Sequence, residues 1–303
     1  MFTEATLTLS EAAKGLSSLS VQQDCDFAYV GKVPTRLNQR IVPCRATNHI
    51  ESALKADGIA GIITTQDLKD QVPENLGLAI ADDPVSASLD LHEAIAARLD
   101  HLWQDFDSEI DPSATVHPSA VIASKNVRIG AHTTIEPGAV IRERSLIGPE
   151  CYIGPATIIG AEALDVRQSM SPMRILKQAG GVRLGSHVQI LGHTTVVRAT
   201  FGGFTEINDE SIIDVHIYIA HDCKIGRRVT MVSGATISGR CEIGHGTYIG
   251  PNATLRNGIH IGESARISMG SVVTQNVESK STVTGNFAVD HDQWLRFVKS
   301  VSD

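Results

Sequence analysis

The segment Ile213-Asp214-Val215-His216-Ile217-Tyr218-Ile219-Ala220-His221-Asp222-Cys223-Lys224 interleaves ionisable side chains with evenly spaced isoleucines. An imidazole titrates near neutrality, so a histidine placed here could accept the proton of an amine or hydroxyl as that group attacks a carbonyl. The sequence holds 12 histidines, and most of them, His132 and His245 for example, read as solvated turn residues. His221 stands out because a glycine, Gly239, lies 18 residues further on. If the fold brings residues 18 apart into contact, a backbone N–H meets the imidazole, and a base beside an oxyanion donor is the equipment of acyl transfer.

The elements that would do this are written in a six-residue period. Ile207, Ile213, Ile219, Ile225, Met231, Ile237, Ile243, Ile249, Leu255, Ile261, Ile267 and Val273 fall every six residues. Ile129, Ile135, Ile141, Ile147, Ile153 and Ile159 keep the same period, and Leu184, Ile190 and Val196 continue it in a shifted phase. The position two before each beat is small, as at Cys151, Cys223, Ala235, Cys241, Thr247, Ala253 and Ala265. An amphipathic helix would repeat its apolar residues every three or four; a hexad predicts a parallel β-helix. Glycine often follows the beat (Gly226, Gly244, Gly250, Gly262), where a sharp turn is expected. The run resembles the left-handed β-helix of the hexapeptide acyltransferases, in which three hexads make one 18-residue coil. On that resemblance Gly239 N–H lies about one strand spacing, ~4.8 Å, from His221.

Composition bounds the rest. In 303 residues there is room for a solenoid and one small domain. A formal net charge of −8 and 4% aromatic residues argue against nucleic acid. The first 15 residues carry acids and no long apolar run, so neither a signal peptide nor a membrane span is expected, and the location is expected to be cytoplasmic with free thiols. Residues 1–108 lack the hexad and read as an α/β domain, with strand candidates at Gly58 to Thr64 and Leu76 to Ala81. A helix follows, capped by Asp83, opened by Pro84, and striped by Leu91, Ile95, Leu99 and Leu102. The β-helix is expected over 109–285, interrupted by insertions at 161–182 and 199–206. Residues 286–303, with Trp294, Leu295, Phe297 and Val298, read as one helix packed on the solenoid's end. The expected class is mainly β.

At Ile219 to Gly226, Gly180 to Gly185, His193 to Arg198 and Gly285 to Arg296, the chain resembles UDP-3-O-acylglucosamine N-acyltransferase of lipid A biosynthesis, as it does in its non-repeat N-terminal domain. The resemblance implies a cytoplasmic homotrimer moving an acyl group, of the 3-hydroxyacyl kind, from an acyl carrier protein or coenzyme A thioester to the 2-amine of a UDP-linked sugar, with no bound cofactor. It implies His221 as general base and Gly239 N–H as oxyanion donor. Asp214, Tyr218, Asp222, Asn257, Gly258 and Asn48 are the implied substrate contacts, Asn48 toward uridine. The chain departs from the family at Val215, His216, Tyr218 and Gly258 and in its short tail. Lys32, Arg36, Arg40 and Arg45 either meet a diphosphate or form a solvated face. Three other readings stand beside this one: an acyl coenzyme A-dependent enzyme acting on another nucleotide-linked amino sugar, a zinc enzyme resembling the γ-class carbonic anhydrases through His216 and His221 with a third ligand, His187 or His193, from a neighbouring subunit, and a non-catalytic scaffold.

Overall fold

Three parallel sheets of eight, eight and nine strands form the walls of a triangular prism in the computed structural model. Residues 5–35, 37–98, 102–167, 172–285 and 288–302 are described. The prism is a left-handed parallel β-helix, running from the strand Glu109–Ile110 to Thr282–Val283. Its strands are mostly two residues long, one residue turned in and one turned out. The inward residues are the beats: Ile213, Ile219, Ile225, Met231, Ile237, Ile249 and Leu255 are fully buried. Each such side chain contributes roughly 1.5–3 kcal/mol of burial, and the small residue two places before it leaves room for the next wall.

Successive coils pair in register 18 residues apart, Ile219 with Ile237 and Ile237 with Leu255. The phase shift in the sequence has a simple cause. Ile147 pairs with Leu184, a step of 37, and Leu184 with Ile207, a step of 23. Subtracting 18 leaves 19 and 5 residues, which loop out of the prism without disturbing the stack.

The glycines after the beats have a different role from the expected one. The left-handed turn residue lies three places after the beat, at His216, Asp222, Arg228, Gly234, Arg240, Gly246, Asn252 and Gly258, all with φ between 54° and 76°. Gly226, Gly244 and Gly262 are instead points of close approach. A Cβ on Gly244 would lie 2.5 Å from the Glu263 backbone nitrogen, so the glycine is needed for coil-to-coil contact and not for turning.

The N-terminal domain is a five-stranded sheet. Its strands are β1 (Ser20–Gln23), β2 (Tyr29–Val30), β3 (Arg40–Pro43), β4 (Ile59–Thr64) and β5 (Gly77–Ile80), ordered β1-β5-β4-β3-β2. All pairs are parallel except β1 with β5. The two expected strands are β4 and β5. Helices α1 (Thr47–Leu54) and α2 (Pro84–Ala96) complete the domain, and Asp83 caps α2 by accepting the Val85 N–H. Leu91 and Ile95 are buried; Leu99 lies outside the described residues.

Helix α2 also receives the 161–182 insertion. Arg167 pairs with Asp90, Arg174 makes two bonds of 2.5 and 2.6 Å to Glu93, and the Lys177 carbonyl lies 2.8 Å from His92 Nε2. Leu176, Ala179 and Phe201 from the two insertions join Leu91 and Ile95 in one apolar cluster. Helix α3 (His291–Ser302) does not pack on the end of the prism: Trp294, Leu295 and Phe297 are 50, 43 and 56% exposed.

Candidate active site

His221 and Asp222 form the corner between strands Tyr218–Ile219 and Lys224–Ile225. The stacking rule places Gly239 at the same corner one coil on. A Cβ built on Gly239 would lie 2.5 Å from His221 Nε2, 2.7 Å from Cε1 and 3.0 Å from Cδ2. The imidazole therefore lies against the bare glycine backbone, and only glycine leaves space for it. His221 Nδ1 is 2.7 Å from Asp222 Oδ2, and both side chains are nearly buried. A carboxylate at Nδ1 fixes the tautomer with its lone pair on Nε2, the nitrogen that faces Gly239.

Asp222 is itself held on both sides. Its second oxygen accepts the Thr200 N–H at 3.2 Å, its own N–H donates to Thr205 Oγ1 at 2.9 Å, and Thr200 Oγ1 donates to Asp165 at 3.1 Å. The two insertions thus clamp the carboxylate that orients the base. Neither Thr200 nor Asp165 could be singled out from the sequence, because both lie in non-periodic loops.

The corner continues through Arg240 to Asn257 and Gly258. Gly258 N–H donates to the Gly239 carbonyl at 2.9 Å, Arg240 Nη2 donates to Asn257 Oδ1 at 3.0 Å, and a Cβ on Gly258 would meet nothing within 4 Å. Tyr218 stands outward on the adjoining wall. Asp214 is elsewhere. It occupies the preceding corner, where its carboxylate accepts the N–H groups of Val215 (2.8 Å) and Ser233 (3.1 Å) and so ties two coils together. Within one chain the structure does not bring it to His221.

His216 shares that other corner and stacks on His193 with ring centroids 5.1 Å apart. His221 stands at the next corner, across the strand Tyr218–Ile219. Among the described residues, no three His, Cys, Asp or Glu side chains cluster as metal ligands.

The N-terminal domain faces this corner across a cleft of about 60 Å³, lined by Pro34, Thr35 and Leu37 on one side and by Asp222, Lys224 and Arg240 on the other. Beyond it a cavity of about 700 Å³ opens between α1 and α2, with Lys32, Arg45 and His49 around the apolar residues Val33, Val85, Leu89 and Phe201. It sits beyond the carboxyl ends of β2 and β3, where open parallel sheets bind ligands. Asn48 is exposed on α1, beside the wall formed by His49 and Ser52. Arg40 is not available to an anion. The residue is 2% exposed, and its guanidinium donates to the carbonyls of Lys32, Val33, Leu37 and Asp57. Arg45 pairs with Asp83 at 2.7 Å; Arg36 lies outside the described residues.

Residues 240–275 match the family model described as bacterial transferase hexapeptide (six repeats). Over that span the chain is similar to the hexapeptide-repeat transferases. Among curated hexapeptide relatives, an acyl-[acyl-carrier-protein]–UDP-N-acetylglucosamine O-acyltransferase of Thermodesulfovibrio yellowstonii is 32% identical over 138 residues, covering 45% of this chain and 50% of that protein. A UDP-3-O-acylglucosamine N-acyltransferase of Shewanella denitrificans is 28% identical over 151 residues, covering 50% of this chain and 44% of that one. The chain spans about half the length of the curated relatives it matches. A solved UDP-N-acetylglucosamine acyltransferase from Campylobacter jejuni aligns over 64% of this chain and 83% of its own, at 23% identity and a TM-score of 0.49. No helix among the described residues is long and apolar enough to cross a membrane.

Proposed function

We propose that this hexapeptide-repeat protein is an N-acyltransferase of lipid A biosynthesis, moving an acyl group from a thioester to the 2-amine of a UDP-linked glucosamine. The observation that carries the reading is the His221 ring, lying on Gly239 with its Nδ1 held by Asp222. His221 Nε2 takes a proton from the amine as its nitrogen attacks the thioester carbonyl. Asp222 stabilises the imidazolium that results. The carbonyl oxygen gains the negative charge, and the Gly239 N–H, which the coil's hydrogen-bond ladder does not use, is the donor beside it. Collapse of the tetrahedral centre expels the thiolate, which takes the proton back from His221, leaving an amide and a free thiol.

The cavity in the N-terminal domain supports a nucleotide-linked acceptor, because a pocket of this size at the ends of parallel strands suits a nucleoside. The relatives divide between O- and N-acyltransferases, and the non-repeat N-terminal domain favours the N-acyl reading. The test is mass spectrometry of products formed from acyl carrier protein or coenzyme A thioesters with UDP-3-O-acylglucosamine and with UDP-N-acetylglucosamine. An amide product on the first acceptor is expected; an ester on the second would replace N-acylation by O-acylation, and no product with either would remove the function.

A further inference from the structure

Thr200 is fully buried and is held at three of its atoms. Its N–H donates to Asp222 Oδ1 at 3.2 Å, its carbonyl accepts the Ala179 N–H at 2.8 Å, and its hydroxyl donates to Asp165 Oδ2 at 3.1 Å. Ala179 and Asp165 both belong to the 161–182 insertion, which is tied down in turn. The Asp165 carbonyl accepts the Leu176 N–H at 2.7 Å, and Gly180 lies so close to the other insertion that a Cβ there would stand 2.6 Å from the Ala199 carbonyl oxygen. Two loops without a periodic pattern thus meet at one threonine behind the corner of His221.

A carboxylate that orients an imidazole does so only while its own plane is fixed. Asp222 Oδ2 is 2.7 Å from His221 Nδ1, and Oδ1 takes the Thr200 N–H. Without that N–H the carboxylate can turn about its Cβ–Cγ bond, and the Nδ1 contact, with the tautomer it selects, turns with it. A hydroxyl donating to a carboxylate makes one of the stronger protein hydrogen bonds, so Asp165 anchors the loop that presents this N–H. Neither Thr200 nor Asp165 lines the cleft beside His221. Their route to the chemistry is through Asp222.

We propose that Thr200 and Asp165 are positioning residues for the His221–Asp222 pair, the hydrogen-bonded chain Asp165–Thr200–Asp222–His221 holding the base in its working orientation. The proposal deepens the acyl-transfer reading of this corner and rests on it for the reaction served, whereas the state of the imidazole can be read without any substrate. Other charged and titratable groups surround the pair: Lys224, Arg240 and Glu242 share its cleft, and Lys32, His92 and Cys223 lie near enough to feel the Asp222 charge. Thr200→Val alters none of them. It removes the hydroxyl while keeping the side-chain volume, the backbone N–H and the Asp165 charge.

The test compares Thr200→Val, Thr200→Ser and Asp165→Asn in the full chain, each also combined with Asp222→Ala. Thr200→Val should lower kcat by about tenfold, with KM changed less than about twofold, and Thr200→Ser should restore it. The His221 titration, followed by NMR on protein labelled at histidine Cε1 and assigned by the signal lost in His221→Ala, should move to lower pH in Thr200→Val, because a displaced carboxylate stabilises the imidazolium less. The acidic limb of the kcat/KM profile should move with it. In the Asp222→Ala background Thr200→Val should change neither quantity. Should Thr200→Val melt early, Asp165→Asn, which weakens the same bond, carries the comparison through the same cycle. A shifted titration in a protein whose wild type makes no acyl product would keep the positioning role and remove the acyl-transfer reading. An unshifted titration, or a loss of kcat equal with and without Asp222, would overturn the proposal.

Discussion

At the scale of single residues, the corner at His221 behaves as one unit whose members fail in different ways. His221→Ala removes the proposed base and should lower turnover by about two to four powers of ten while the chain stays folded, as steady-state rates and a thermal melt on one preparation would establish. Gly239→Val should be nearly as damaging, since its Cβ strikes the imidazole itself within 2.5 Å and must push the ring off the corner. The contact is with the far end of a side chain, so activity should fall much further than melting temperature. Equal losses would mark Gly239 as structural only. His92 gives a pH signature of another kind. Burial lowers its pKa below the ordinary histidine value of 6.5, outweighing the Lys177 carbonyl and the carboxylates of Glu93, Asp165 and Asp222, which pull upward. Above 6.5 both folded and unfolded forms are neutral there, and this residue costs no stability. As pH falls below 6.5 the unfolded chain binds the proton first, so stability declines toward the lowered folded pKa. Melting curves between pH 8 and 5 should show that decline in the wild type and less of it in His92→Phe; parallel curves would refute it.

At the scale of elements, the insertions are held by α2 and the coils are held by contact. Arg167 is 3% exposed on its side chain, and among the described residues its charge is answered by Asp90 alone. Asp90→Ala should therefore cost about 3 kcal/mol, the usual consequence of leaving a buried charge unpaired, and hydrogen exchange should quicken first in the 161–182 insertion. Exchange that quickened uniformly over the chain would argue against a local clamp. Gly244→Ala tests the coil contact: its Cβ meets backbone at Glu263 and Gly262, which cannot swing aside, and roughly 1–3 kcal/mol of overpacking is expected.

At the scale of the whole molecule, the three walls of the prism differ. One presents Glu109, Arg128, Arg183, Glu206, Lys224 and Glu242 as a ladder of ion pairs. Another presents Val121, Ile158, Tyr218, Thr236, Thr254 and Val272 and carries no charge along its length. An uncharged flat wall next to a solvated one suits a closed ring of chains. Light scattering should return about three times the 32.4 kDa chain mass; a stable monomer would exclude the trimer. A chain starting near Asp111 should still form that ring and bind thioester, yet lose UDP-sugar affinity, because the cavity goes with the domain removed.

The sequence by itself determined the solenoid. The six-residue period in buried side chains predicts a parallel β-helix, and the resemblance to the hexapeptide acyltransferases supplies the 18-residue coil that brings His221 to Gly239. The helix at Asp83-Pro84 and the strands at Ile59–Thr64 and Gly77–Ile80 were equally legible, since capping and burial are local signals. Tertiary structure alone decided what the non-periodic segments touch. Thr200 and Asp165 fix Asp222 from loops without pattern, Arg40 is spent on carbonyls where its charge suggested a ligand, and Asp214 and His216 turn out to occupy another corner. Such contacts join residues far apart in sequence through geometry that no period encodes.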